Sequence, residues 1–234
     1  MRFSRTVHVI GSFVALLTIA CSSATVTPSS QPTPSDPAAG MTNAELEALF
    51  RARTDSARMR FTDADVRFMN LMIHHHAQAL QLARLAPDRA GSESIRTLAA
   101  RIINGQTDEI ATMQRWLSDR GQAVPELHIM GDNVMVHGGG HGDHDMSAMP
   151  GMLSSDQIAQ LARTRGTAFD RLFLTLMIEH HRGAVTMVHD LAGSDGAMQD
   201  EDAFRLAADV QVDQATEIAR MERMLAAMGG APHP

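Results

Sequence analysis

Residues Phe68 to Leu82 read F-M-N-L-M-I-H-H-H-A-Q-A-L-Q-L, three consecutive histidines inside an apolar pattern of helical period. A near copy, F-L-T-L-M-I-E-H-H-R-G-A-V-T-M, runs from Phe173 to Met187, 105 residues later. Helical spacing separates the histidines. His75 shares a stripe with Phe68, Met72, Ala79 and Leu82, and His76 lies beside Met69, Ile73 and Leu80. His74 falls instead with Arg67, Asn70, Gln78 and Gln81, a polar face. In the copy, His180 follows Phe173, Met177 and Ala184, His181 follows Leu174, Ile178 and Val188, and Glu179 takes the place of His74. His75, His76, His180 and His181 are therefore expected to point inward.

The duplication continues beyond the histidines. Leu98, Ile102, Gln106, Glu109, Ile110, Met113 and Leu117 recur 108 residues later as Leu206, Val210, Gln214, Glu217, Ile218, Met221 and Leu225. The larger offset predicts a longer turn in the second copy. Two such helix pairs, over 61–121 and 154–228, predict an all-α four-helix bundle of two duplicated hairpins within a domain spanning 41–230. An extra short helix is expected from Asn43 to about Met59, and a His/Met/Gly-rich loop over 126–153.

Composition agrees with helix. The 234 residues include no Tyr and one Trp, and 44% are hydrophobic. The formal charge of −7 argues against a nucleic-acid partner. His (12) and Met (17) are over-used, and both are metal ligands. The lone cysteine, Cys21, rules out a disulfide framework within the chain and a thiolate-rich metal site. It follows Arg2, Arg5 and an apolar run from Val9 to Ala20, a pattern that resembles the signal peptide and lipobox of bacterial lipoproteins. Residues 1–20 are thus expected to be removed, Cys21 to be lipidated, and 21–40, rich in Ser, Thr and Pro, to form a flexible tether. Thr18 stands where the lipobox usually has Leu, so an ordinary secretory signal is the competing reading.

An imidazole buried without a partner costs about 1–3 kcal/mol, so four in one bundle require a common explanation. Gln106 and Gln214 fall on the apolar stripes of their helices and are expected to orient the rings through hydrogen bonds. Met72 and Met177, one turn before the histidine pairs, are placed to add thioether ligands. In the loop, His137, His141 and His144 alternate with glycines, and Met146, Met149 and Met152 recur every three residues. With Pro150 this segment is expected to be partly polyproline-like, presenting its thioethers on one side of a flexible metal collector. Imidazole and thioether without thiolate suit copper, as Cu(I) or Cu(II); zinc competes for the histidines but makes poor use of methionine.

The tandem M-I-H-H-H-A-Q-A-L and M-I-E-H-H-R-G-A-V segments, each followed by Q-x-x-E-I-x-x-M, closely resemble the bacterial exported family catalogued as domain of unknown function 305. The resemblance covers about Phe61 to Met228. It implies a ferritin-like bundle and, for some members, copper binding in the periplasm. The family often has Pro immediately before the histidine pair; His74 and Glu179 stand there.

No E-x-x-H pair exists to build a di-iron oxidase, and neither G-x-S-x-G nor H-E-x-x-H occurs, so no enzymatic activity is expected. Two functions remain. One is a copper-binding protein, tethered by its lipid in the periplasm or outer cell envelope, that buffers copper or exchanges it with other envelope proteins. The other is a structural or interaction module whose buried His/Gln layer only sets bundle register.

Overall fold

The computed structural model describes residues 40–58, 60–131, 133–139 and 148–229. Cys21 and the calls on 1–39 lie outside them, as do His141, His144 and Met146. Helices dominate: α1 (Asn43–Arg58), α2 (Asp63–Ala83), α3 (Ala86–Arg89), α4 (Glu93–Asp119), α5 (Ser155–Arg163), α6 (Gly166–Ala192) and α7 (Glu201–Ala227).

Local chemistry explains their ends. Thr62 caps α2 in a reciprocal capping box with Asp65, Ser154 does the same for α5 with Gln157, and Ser92 and Asp200 cap α4 and α7. Gly121, with φ +65°, follows α4 where only glycine turns left-handed without strain.

Packing follows the apolar stripes: α2 lies along α4, α6 along α7, α2 against α6 and α4 against α7. Two apolar clusters fill the interior. One gathers Val66, Met69, Met72, Trp116, Leu117 and Val188 from the start of α2 and the end of α4 and α6. The other gathers Leu82, Ile95, Leu98, Phe169, Phe173 and Met221 from the opposite ends. The histidines sit at mid-helix between them.

The repeat is visible as paired clasps. Asp65 in the first turn of α2 accepts a bond from the Met198 N–H (2.8 Å), in the turn before α7. Its counterpart Asp170 in α6 accepts one from the Gly91 N–H (2.9 Å), in the turn before α4. Both aspartates are buried. Each half thus ties the turn of the other.

The segment expected to be an unstructured loop is not one throughout. Glu126–Met130 (β1) and Asn133–His137 (β2) pair antiparallel, Leu127 opposite Val136 and Ile129 opposite Val134. Leu127, Val134 and Val136 pack on the bundle core. Alternation of period two creates that face, and the exposed methionines between its members mask it in the sequence. Among the described residues, no helix is long and apolar enough to cross a membrane.

Candidate metal centre

The four expected histidines are all fully buried, at 0% exposure. They form a row. The His76 and His75 ring centroids are 6.4 Å apart, those of His75 and His180 are 3.8 Å apart with the planes tilted by 36°, and those of His180 and His181 are 6.1 Å apart. The two outer steps match in tilt as well, 56° and 57°, so the row carries the symmetry of the repeat. His74 is half-buried rather than solvent-facing, and burial lowers its pKa; Glu179 is exposed.

Hydrogen bonding determines what the rings present. His76 Nε2 lies 2.7 Å from Glu109 Oε2, and His181 Nε2 lies 2.7 Å from Glu217 Oε2. His75 Nε2 lies 3.1 Å from the Pro150 carbonyl oxygen. Carboxylate and carbonyl oxygens only accept, so all three rings donate from Nε2. Among the described residues, the Nδ1 atoms of these three rings are buried without a partner, and so are both ring nitrogens of His180. A carboxylate that fixes one imidazole nitrogen so that the other can bind a metal is a recurrent arrangement in metal sites.

The two central rings, His75 and His180, are neutral. Burial pushes His75 down to about 3, with further lowering from His76 and His181. Burial likewise holds His180 well below its ordinary value, helped by the other three imidazoles. Neutral imidazole is the form that ligates.

Glutamate therefore fills the role expected of glutamine. Gln106 and Gln214 are buried at mid-helix as expected, but Gln106 Nε2, Gln106 Oε1 and Gln214 Oε1 have no partner. Each lies 14 residues inward from the pair of Arg120 on α4 with Asp200 at the N-cap of α7, which brings them to one level. Their amides are further unsatisfied donors and acceptors at that level. The signal for the glutamates was present, since the repeated motif is Q-x-x-E. Helical period alone put Glu109 and Glu217 at the flank, where their side chains keep 16% and 24% exposure.

Met72 and Met177 are fully buried one turn before their histidine pairs. The loop residues separate. Met149 is buried and Met152 partly buried against the apolar core, whereas His137 is exposed on β2. The described part of this segment is therefore not a continuous solvent-facing collector, because Met149 and Met152 are used in packing.

Instead, residues 148–153 close over the histidine row. Gly151 (φ +73°) rests on α6 so closely that a Cβ there would lie 2.7 Å from the Gly183 Cα and the His180 carbonyl oxygen. A Cβ on Gly183 would meet the Pro150 carbonyl oxygen at 2.1 Å. Two glycines in contact allow the carbonyl to reach His75. Gln78 completes the closure, donating to the Leu153 carbonyl (3.0 Å) and accepting from its N–H (2.8 Å). Among the described residues, no three His, Cys, Asp or Glu side chains already converge on one metal position.

The family model described as "Domain of unknown function (DUF305)" matches residues 65–225. The chain belongs to the DUF305 family. A DUF305 fragment from Deinococcus radiodurans is 31% identical, with TM-score 0.58, over 71% of this chain and 98% of that one. A DUF305 protein from Streptomyces coelicolor, named as secreted, is 26% identical, with TM-score 0.59, over 73% and 96%. CopM in its Cu(I)-bound form is 26% identical, with TM-score 0.52, over 71% and 98%. CopM has also been crystallised in Cu(II)-bound and Ag-bound forms. No curated protein matches this DUF305 chain.

Proposed function

We propose that this DUF305 protein is an exported copper-binding protein, a ferritin-like bundle of two hairpins that buffers or delivers copper in the cell envelope without a catalytic step of its own. The observation that carries the reading is the set of five imidazole nitrogens buried without hydrogen-bond partners among the described residues. A layer whose only task was bundle register would gain by satisfying them, since each costs about 1–3 kcal/mol unpaired. The donor set fits the ion. His75, His76 and His181 offer Nδ1, His180 offers either nitrogen, and Met72 and Met177 add thioethers, a combination suited to Cu(I) and accessible to Cu(II). The copper- and silver-bound forms of CopM support the same choice. Zinc is the competing ion.

Export, lipidation at Cys21 and the tether over 21–40 rest on the N-terminal sequence, and the secreted relative supports export. The expected exchange partners are copper-donating or copper-accepting envelope proteins. The central test is titration of the purified chain with Cu(I), Cu(II) and Zn(II), alongside a variant with alanine at His75, His76, His180 and His181. Tight copper binding that the variant loses supports the reading. Undiminished binding in that variant, or none tighter than about micromolar in the wild type, leaves the layer a structural one. Replacing Cys21 by Ser should abolish lipid labelling and release the chain from membranes.

A further inference from the structure

Outside the bundle interior, the β1–β2 ribbon carries a separate group of soft donors. Pairing sets His128 opposite Met135 and Glu126 opposite His137. Strand alternation then places Glu126, His128, Met130, Met135 and His137 on one face, and all five are exposed. The opposite face is committed to the core through Leu127, Val134 and Val136. Both ends of the ribbon are pinned. Arg84 Nε donates to the Gly131 carbonyl in the turn (2.8 Å), and Gln114 Nε2 donates to the Pro125 carbonyl just before β1 (2.7 Å). The donor face is thus held outward.

On that face His128 stands directly opposite Met135, with His137 on the neighbouring diagonal and Met130, opposite Asn133, on the other side. The His128 and His137 ring centroids are 5.2 Å apart at 60°. Directly opposed strand residues have Cβ atoms about 4.5–5.5 Å apart, which brings the Met135 thioether within reach of the His128 ring. The Glu126 carboxylate lies 3.7 Å from His128 Nε2 and adds negative charge beside the rings. Packing does not account for the methionines, since Met130 is 61% and Met135 39% exposed.

We propose that this face is a surface site for a soft monovalent ion, Cu(I), held by the imidazoles of His128 and His137 and the thioether of Met135, with Met130 able to join. Uncharged thioethers favour Cu(I) over Cu(II) and zinc. Exposed side chains on a fixed ribbon can turn toward an ion without disturbing the core. The site rests on the copper reading for its choice of ion and is independent of the buried histidines.

Ag(I), which is redox-inert, is the probe, added to the full chain and followed through the methionine methyl and imidazole NMR signals. The first equivalents should shift Met130, Met135, His128 and His137, in wild type and equally in the variant with alanine at His75, His76, His180 and His181. The combined substitution H128T/M135T/H137T keeps exposed strand residues of good β-propensity. It should lose one bound equivalent of Ag(I), and of Cu(I) under anaerobic competition, with Tm unchanged. Zn(II) should leave the methyl signals in place. The proposal is overturned if the ribbon signals do not move while silver binds elsewhere. It is also overturned if the triple variant binds as many equivalents as wild type, or if deleting 140–147 instead removes the equivalent and assigns it to His141, His144 and Met146. Failure of the bundle reading looks different, because the four-histidine variant would then lose nothing while the ribbon shifts persisted.

Discussion

In the proposed copper site, Glu109 and Glu217 act by orienting the outer rings. Each holds Nε2–H of an outer histidine and leaves Nδ1 turned to the interior without a partner among the described residues. Glu109→Gln or Glu217→Gln keeps the size but loses the charge-assisted bond, and an amide can donate as well as accept, which lets the ring adopt the other tautomer. Each change should weaken copper binding about 10- to 100-fold with little change in Tm, measured by competition titration. Gly183→Ala makes a different demand. Its methyl would collide with backbone at Pro150, so residues 148–153 must move and the carbonyl must leave His75. A loss of about 1–3 kcal/mol is expected from urea unfolding, with a changed His75 ring signal. The inward histidines were legible at this scale because a helix of fixed period assigns faces residue by residue. The partners of their rings were not, since they lie on another helix.

The turns before α4 and α7 are held by the opposite half of the molecule. Asp170→Ala leaves the Gly91 N–H without its acceptor, and Asp65→Ala removes both the bond to Met198 and the reciprocal cap on Thr62. Asp170→Ala should cost about 1–3 kcal/mol in urea unfolding, and Asp65→Ala should cost more because the reciprocal half of the capping box, the bond from the Thr62 N–H, is lost with it. Helices were readable as elements because their caps are local: Thr62, Ser92 and Ser154 each bond the backbone three residues on. The ribbon was not, although Leu127 and Ile129 alternate correctly on one side of Gly131, and Val134 and Val136 on the other. Counting Met130 and Met135 as apolar destroys that period, and only exposure shows that they face water. Met149 and Met152 present the reverse case. They resemble ligands in a flexible run, yet they help hold a closure over α6.

For the molecule as a whole, acid is the natural probe of the buried layer. The folded-state pKa values of His75 (about 3) and His180 lie below the unfolded value of 6.5, so the unfolded chain takes up protons first. Their contribution to stability is complete above pH 6.5 and declines as pH falls toward 3. Asp200 adds a second limb. Burial pushes its carboxyl up, but bonds from Arg120, Trp116 and the Ala203 N–H outweigh that and hold it below the ordinary aspartate value of 3.8. Stability from Asp200 is present above pH 3.8 and is lost as pH drops through its lower folded value. Thermal unfolding should therefore show Tm falling from pH 6.5 downward and more steeply below 4, and the H75Q/H180Q variant should flatten the upper limb. By itself the sequence determined the helical class, the duplication, the inward-facing histidine pairs and the soft character of the donors. Periodicity and residue chemistry are carried along the chain, so these could be read without coordinates. The tertiary structure alone decided that glutamates orient the outer rings, that 148–153 closes the row and that a ribbon turns two histidines and two methionines outward. Each of these depends on which helix or strand lies opposite, a relation between segments far apart in sequence.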